Sequence, residues 1–171
     1  MPTLSKKIDN MEESATLAMA RKSRELQAKG REIINLSLGE PDFNTPDFIK
    51  KAAIEAINQN YTKYTPVPGY ADLLETISIK FKRDNCLDYL PNQIVCSTGA
   101  KQSIAQLLMV LLNKNDEVIL PAPYWVSYEQ MITLSGGIPK IINTEIDQNF
   151  KISPKQLDSA ISENTKVFLF S

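Results

Sequence analysis

The 171-residue sequence predicts an α/β fold, a mostly parallel sheet covered by helices. Two observations carry that prediction. From Asn92 onward, short apolar runs alternate with amphipathic segments of helical period. The runs themselves, "NQIVCS", "DEVILP", "IPKIINTE" and "KVFLFS", are rich in Val, Ile and Leu. Strands of that composition joined by helices are buried on both faces, which is the habit of a parallel sheet.

Taken in order, the chain first offers Ser14 as N-cap of a helix through "ATLAMARKSRELQAK", stopped at Gly30. "EIINLSL" reads as a short strand entering the loop "GEPDF". Thr45 as N-cap and Pro46 as first helical residue open the next helix. That helix sets Ile49, Ala52, Ala53, Ala56 and Ile57 on one face. After the Pro-rich loop "YTKYTPVPGY", a further helix carries Tyr70, Leu73, Leu74, Ile77 and Phe81 on its expected buried side. The strand–helix alternation then runs through "KQSIAQLLMVLLN", "WVSYEQMITLS" (closed by Gly136 and Gly137) and "SPKQLDSAIS". Ser171 ends an apolar strand with no covering helix after it, so the fold is expected to be incomplete at that point.

Composition narrows the chemistry. Hydrophobic residues make up 43% of the chain and charged residues 23%, an ordinary globular balance. A net charge of −1 gives no electrostatic footprint for nucleic acid or an anionic membrane. No apolar run approaches a bilayer-spanning length, and "MPTLSKKIDNMEESATL" lacks the apolar middle of a signal peptide, so a cytoplasmic location is expected. Cys86 and Cys96 are too few for a disulfide scaffold and lack zinc-site spacing, so no metal is expected. There is no histidine. Ser-His-Asp and Cys-His activation are therefore excluded from these residues, and catalysis would fall to carboxylates, Lys, Tyr or a cofactor.

In open α/β sheets, ligands bind at the carboxyl ends of the strands. Two such loops have unusual content. "CSTGAKQS" leads from a strand into a helix through Gly99, Ala100 and Lys101, where unpaired N–H groups and the helix dipole favour an anion. It matches neither a Walker A loop nor a G-x-G-x-x-G fingerprint, and a plain helix N-cap remains open for it. "LPAPYWVSYEQ" places the only tryptophan, Trp125, at the same edge of the sheet. A lone Trp also serves often as a core anchor. An aromatic face beside an anion cup suits a planar, phosphorylated cofactor.

The order "SLGEPDFNTP", "YTKY", "STGAKQSI", "DEVILPAPYWVSY" resembles the N-terminal half of a class I aminotransferase of the pyridoxal-phosphate fold type I superfamily, in particular its bacterial aspartate aminotransferase branch. The resemblance covers essentially the whole chain. It implies pyridoxal 5'-phosphate as cofactor, with Gly99, Ala100 and Lys101 at the phosphate cup and Trp125 beside the pyridine ring. It implies that Gly39 offers its N–H to the substrate α-carboxylate, since only a residue without Cβ lets the main chain approach so closely. Trp125 and Lys101 are implied at the substrate as well, Lys101 facing a distal carboxylate. Tyr64 matches the tyrosine that reaches the phosphate of the neighbouring subunit, which implies a homodimer. Residues 1–35 would form an N-terminal arm and helix belonging to a small domain, and 36–171 the first part of the large cofactor-binding domain.

The family's Schiff-base lysine would lie beyond Ser171, so no catalytic residue is expected in these 171 residues and the piece alone is expected to be inactive. The resemblance implies transfer of an amino group between an amino acid, aspartate or glutamate, and a 2-oxo acid. A pyridoxal-phosphate-dependent lyase on the same scaffold and a non-catalytic binding module stay open as alternatives.

Overall fold

Val118, Ile119 and Leu120 have no solvent-accessible surface, because they form the middle of β1 (Glu117–Ala122), the central strand of a parallel sheet. The computed structural model describes residues 4–9, 11 and 13–171; residues 1–3, 10 and 12 of the expected N-terminal arm lie outside the described residues. Among the described residues the sheet has three strands in the order β2-β1-β3, with β2 at Ile138–Asn143 and β3 at Thr165–Phe168. β1 runs in register with β2 from Glu117 opposite Ile138 to Ala122 opposite Asn143. Against β3 the pairing slips between Glu117 and Val118, so that Val118 faces Val167.

Cα packing divides the chain into two units, one of Met1–Gly39 with Lys101–Ser171 and one of Glu40–Ala100. In the first, parallel pairing requires a crossover between successive strands. α6 (Ser127–Leu134) joins β1 to β2, and α7 (Pro154–Ala160) joins β2 to β3. Side chains alternate along a strand, so Val118 and Leu120 share a face. They pack there with Leu108 and Leu112, from α5 (Ala100–Leu111) and the residue after it, and with Tyr128, Met131 and Ile132 of α6. Gly137 closes α6 against this core: a Cβ there would lie 2.8 Å from Leu112 Cδ1 and 3.2 Å from the Asp116 carbonyl oxygen. α7 starts with a capping box, Ser153 Oγ accepting the Gln156 N–H at 3.2 Å and Gln156 Oε1 accepting the Ser153 N–H at 3.0 Å.

The amino end of β1 is fastened by Glu117. Its Oε2 accepts from Ser162 Oγ at 2.6 Å, Lys140 Nζ at 3.0 Å and Thr165 Oγ1 at 3.3 Å. One carboxylate thereby ties β2 and the entry to β3 to the central strand. The N-terminal segment comprises α1 (Lys6–Asp9) and α2 (Ala15–Ala28), and Lys7 Nζ donates to the Leu134 carbonyl at the end of α6 at 3.3 Å. Ser14 sits at the expected N-cap of α2, but its side chain makes no capping bond.

The second unit is built on α3 (Asp47–Asn58) and α4 (Ala71–Asn85). Pro46, not Thr45, is the N-cap of α3. Of the face expected to be buried on α4, Leu74 is buried and Ile77 and Phe81 are half-buried, while Leu73 is exposed. Phe81 meets Tyr89 edge-on at 6.2 Å. Two expected strands are not formed. "EIINLSL" and the apolar part of "NQIVCS" carry no strand, and neither joins the sheet among the described residues. β propensity acts only through a ladder and a packed face. Ile34 is 86% exposed and Val95 66% exposed, and the Cys96 N–H bonds to the Pro68 carbonyl of a loop at 2.8 Å.

Candidate functional site

The carboxyl end of β1 is where the buried strand gives way to polar and aromatic side chains. Thr144, buried just after β2, donates its hydroxyl to the Ala122 carbonyl and holds the two strand ends together. Ala122–Pro123 is a cis peptide. Tyr124 packs its ring against the core cluster, so its hydroxyl needs a partner where water is scarce. It finds one in α6: Tyr124 Oη donates to Glu129 Oε2 at 2.7 Å. Burial first, and Glu129 second, push the Tyr124 phenol up to about 12. At neutral pH it is a fixed donor.

Trp125 follows. It is 39% exposed and lies outside the buried cluster. Its carbonyl accepts the Tyr128 N–H at 2.9 Å, and its ring meets the Tyr128 ring edge-on at 5.4 Å. Lys101, in the first turn of α5, carries its Nζ to 4.6 Å from the Trp125 ring centroid. An exposed cation–π contact of this kind contributes roughly 0.5–1 kcal/mol. Beside the pair opens a cleft of ≈610 Å³ lined by Lys101, Tyr124, Ser127 and Glu129, with Ser14 of the N-terminal segment and Leu134 also at its wall. That volume lies within the roughly 300–1,000 Å³ of small-molecule sites. One cation, Lys101, with two carboxylates, Glu129 bonded to Tyr124 and Glu13 paired with Arg21, and small hydroxyls among apolar walls can orient a polar organic ligand.

The other expected site residues stand as follows. Ser97, Thr98 and Gly99 form a tight turn in which the Gly99 N–H donates to the Ser97 carbonyl at 2.8 Å and Gly99 adopts φ +81°. α5 begins at Ala100, so the N–H groups of Ala100 and Lys101 belong to a helical first turn, where no intrahelical acceptor exists. A turn ending on such N–H groups, with open space where a Gly99 Cβ would stand, fits an anionic group. Gly39 likewise has nothing within 4 Å of an added Cβ, so no steric need for glycine arises there within this chain. Tyr64 is fully exposed in its loop. The structure thus brings Lys101 and Trp125 together, with Ala100 between Lys101 and the Gly99 turn.

Sequence reasoning passed over the Tyr124–Glu129 bond and the presence of Ser14 at the cleft. The signal for the first was a tyrosine at a strand end with an acid in the first turn of the helix behind it. The second had no local signal, since Ser14 and its neighbours at the wall, Met11, Glu13 and Ala15, are distant in sequence from Lys101 and from the residues 123–134 that complete it.

Comparison with known proteins gives a consistent picture. The model of the family described as aminotransferase class I and II matches residues 31–171. A probable aspartate/prephenate aminotransferase of Rhizobium leguminosarum bv. phaseoli is 48% identical over 171 residues, all of this chain and 43% of that protein. An aspartate aminotransferase of Bacillus subtilis is 46% identical over 168 residues, covering 98% of this chain and 43% of the relative. The chain therefore spans less than half the length of these curated relatives. Among solved structures, the aspartate aminotransferase of Thermus thermophilus with maleate superposes with a TM-score of 0.94 at 38% identity, over 98% of this chain and 44% of that one.

Proposed function

Since this chain belongs to the aminotransferase class I and II family, we propose that the intact protein transfers an amino group between a dicarboxylic amino acid, aspartate or glutamate, and a 2-oxo acid. The observation that carries the reading is Lys101 Nζ lying over the Trp125 ring, with Lys101 itself lining the cleft. A fixed cation beside an aromatic face suits a substrate with a second carboxylate next to a planar ring. The name of the Thermus thermophilus structure, with maleate, a dicarboxylate, supports the same class of ligand.

Pyridoxal 5'-phosphate, when bound, supplies the electron sink on which transamination depends. The residues fit it. The N–H groups following Gly99, those of Ala100 and Lys101, would hold the phosphate at the start of α5, where the helix dipole favours negative charge. Trp125 would orient the ring, and the Lys101 side chain would meet the distal carboxylate of the substrate. Gly39 would present its N–H to the α-carboxylate. Tyr64 would reach the phosphate of a partner subunit in a homodimer, and the enzyme would work in the cytoplasm.

The test is direct. Intact protein supplied with aspartate and 2-oxoglutarate should form oxaloacetate and glutamate in equal amounts, with the rate rising on addition of pyridoxal 5'-phosphate. No transfer from either dicarboxylic donor would overturn the reading.

A further inference from the structure

Trp125 sits on a short turn between β1 and α6, and its side chain is held by few contacts. One is the edge-on ring of Tyr128 at 5.4 Å. Another reaches it through its neighbour: the phenol of Tyr124, bonded to Glu129 Oε2 at 2.7 Å. Glu129 is in the first turn of α6, the helix whose start is fixed by the Tyr128 N–H on the Trp125 carbonyl. The bond therefore closes a small loop, Tyr124–Trp125–Val126–Ser127–Tyr128–Glu129, at both ends. On the Tyr124 side the ring is packed on the core cluster and the hydroxyl is held by the carboxylate.

We propose that Glu129 is a positioning residue for Trp125, acting through the hydroxyl of Tyr124. The inference rests on the reading of Trp125 as a ring-facing residue of the site. Without the acceptor at 129, the half-buried phenol must turn toward water or leave its donor unmet, and either motion is passed to the next residue in the chain. Lys101 loses its seat over the indole with it. The plain alternative is a carboxylate that merely complements the positive end of the α6 dipole. The two are separable, because glutamine keeps an acceptor oxygen for the phenol while giving up the charge.

The experiment uses the intact protein with Tyr124→Phe, Glu129→Ala, Glu129→Gln and the Tyr124→Phe/Glu129→Ala pair. Each is read by Trp125 emission, taken as the difference from a matched Trp125→Phe blank, together with kcat/KM for aspartate and Tm. Positioning predicts that Tyr124→Phe and Glu129→Ala shift the Trp125 emission alike and lower kcat/KM by roughly 3- to 10-fold, the equivalent of one ordinary hydrogen bond. Glu129→Gln should restore the emission even if Tm falls, and the pair should be no worse than either single change. The proposal is overturned if Glu129→Gln behaves as Glu129→Ala while Tyr124→Phe is silent, or if the emission is unchanged in all variants. Because emission is independent of turnover, shifted spectra in a protein that transfers no amino group would leave the positioning role standing and remove only the proposed activity.

Discussion

Lys101 Nζ stands 4.6 Å from the centre of the Trp125 ring, although Lys101 belongs to the first turn of α5, Trp125 to the turn before α6, and the two lie 24 positions apart. Lys101 brings a full positive charge to a cleft wall that also carries Glu129, Ser127 and Ser14. If a dicarboxylate binds there, Lys101→Ala removes a charge-assisted contact worth roughly 1.5–3 kcal/mol. The expected result is a kcat/KM for aspartate lowered roughly ten- to a hundredfold, with alanine or an aromatic donor spared. Both donors are to be measured side by side. An equal fall for both would reassign Lys101 to the phosphate or to folding.

Gly99 is the second test. Its φ of +81° is left-handed, while the space where a Cβ would stand is open. A side chain at Gly99 is thus opposed by backbone strain and not by a neighbour. Gly99→Val should lower stability by about 1–2 kcal/mol and weaken retention of pyridoxal 5'-phosphate, as the turn relaxes and its N–H groups lose their aim. Gly99→Asn, which tolerates left-handed backbone, should retain most of both. Denaturant midpoints and equilibrium dialysis read the two effects separately. Equal cofactor affinity in glycine and valine proteins would move the phosphate elsewhere.

What could be read from the sequence was set by how local its cause is. Val118, Ile119 and Leu120 announce β1 because an uninterrupted apolar run bounded by Glu117 and Pro121 has few other fates. Gly30 and Gly136 mark helix ends through their own backbone, at φ +78° and +90°. "EIINLSL" has equal apolarity but no ladder in this chain, and a strand without a neighbour is not a strand. Leu73 fails for a related reason: helical period gives a face, but only packing decides which flank of it is covered. In the site, Trp125 was legible as an unusual residue after a strand and Gly99 as one before a helix, although the strand expected before Gly99 does not form. The seat of Lys101 on Trp125 and the bond from Tyr124 to Glu129 were not, because each depends on where a helix starts relative to a strand end.

Trp125 offers a third test. With 39% of its surface exposed and its ring outside the core cluster, exchange for a smaller aromatic ring leaves no buried cavity. Trp125→Phe should change stability by no more than about 1 kcal/mol, keep the fold by circular dichroism, and reduce turnover moderately, since an aromatic face remains. A large fall in Tm would instead identify the indole as a core anchor.

The last prediction concerns acid. Glu117 accepts three hydrogen bonds at the amino end of β1, and its carboxyl is held below the ordinary value of 4.5, first by Ser162, then by Lys140. In the folded protein it therefore binds its proton less readily than in the unfolded chain. The sign follows from linkage: where the unfolded state holds more protons, stability rises with pH. The contribution of Glu117 is fully present above 4.5 and is lost as pH falls below that value through the lower folded one. Glu117→Gln removes the titrating group while keeping an acceptor oxygen. It should lower stability at pH 7, where the carboxylate's bonds to Ser162 and Lys140 count in full. The deficit relative to the parent should shrink steadily below pH 4.5, because protonation is by then undoing the same bonds in the parent. Urea midpoints for the two proteins across pH 3 to 7 provide the measurement. Parallel curves over that range would show that Glu117 makes no difference to proton uptake, and that Ser162, Thr165 and Lys140 hold the strand ends without it.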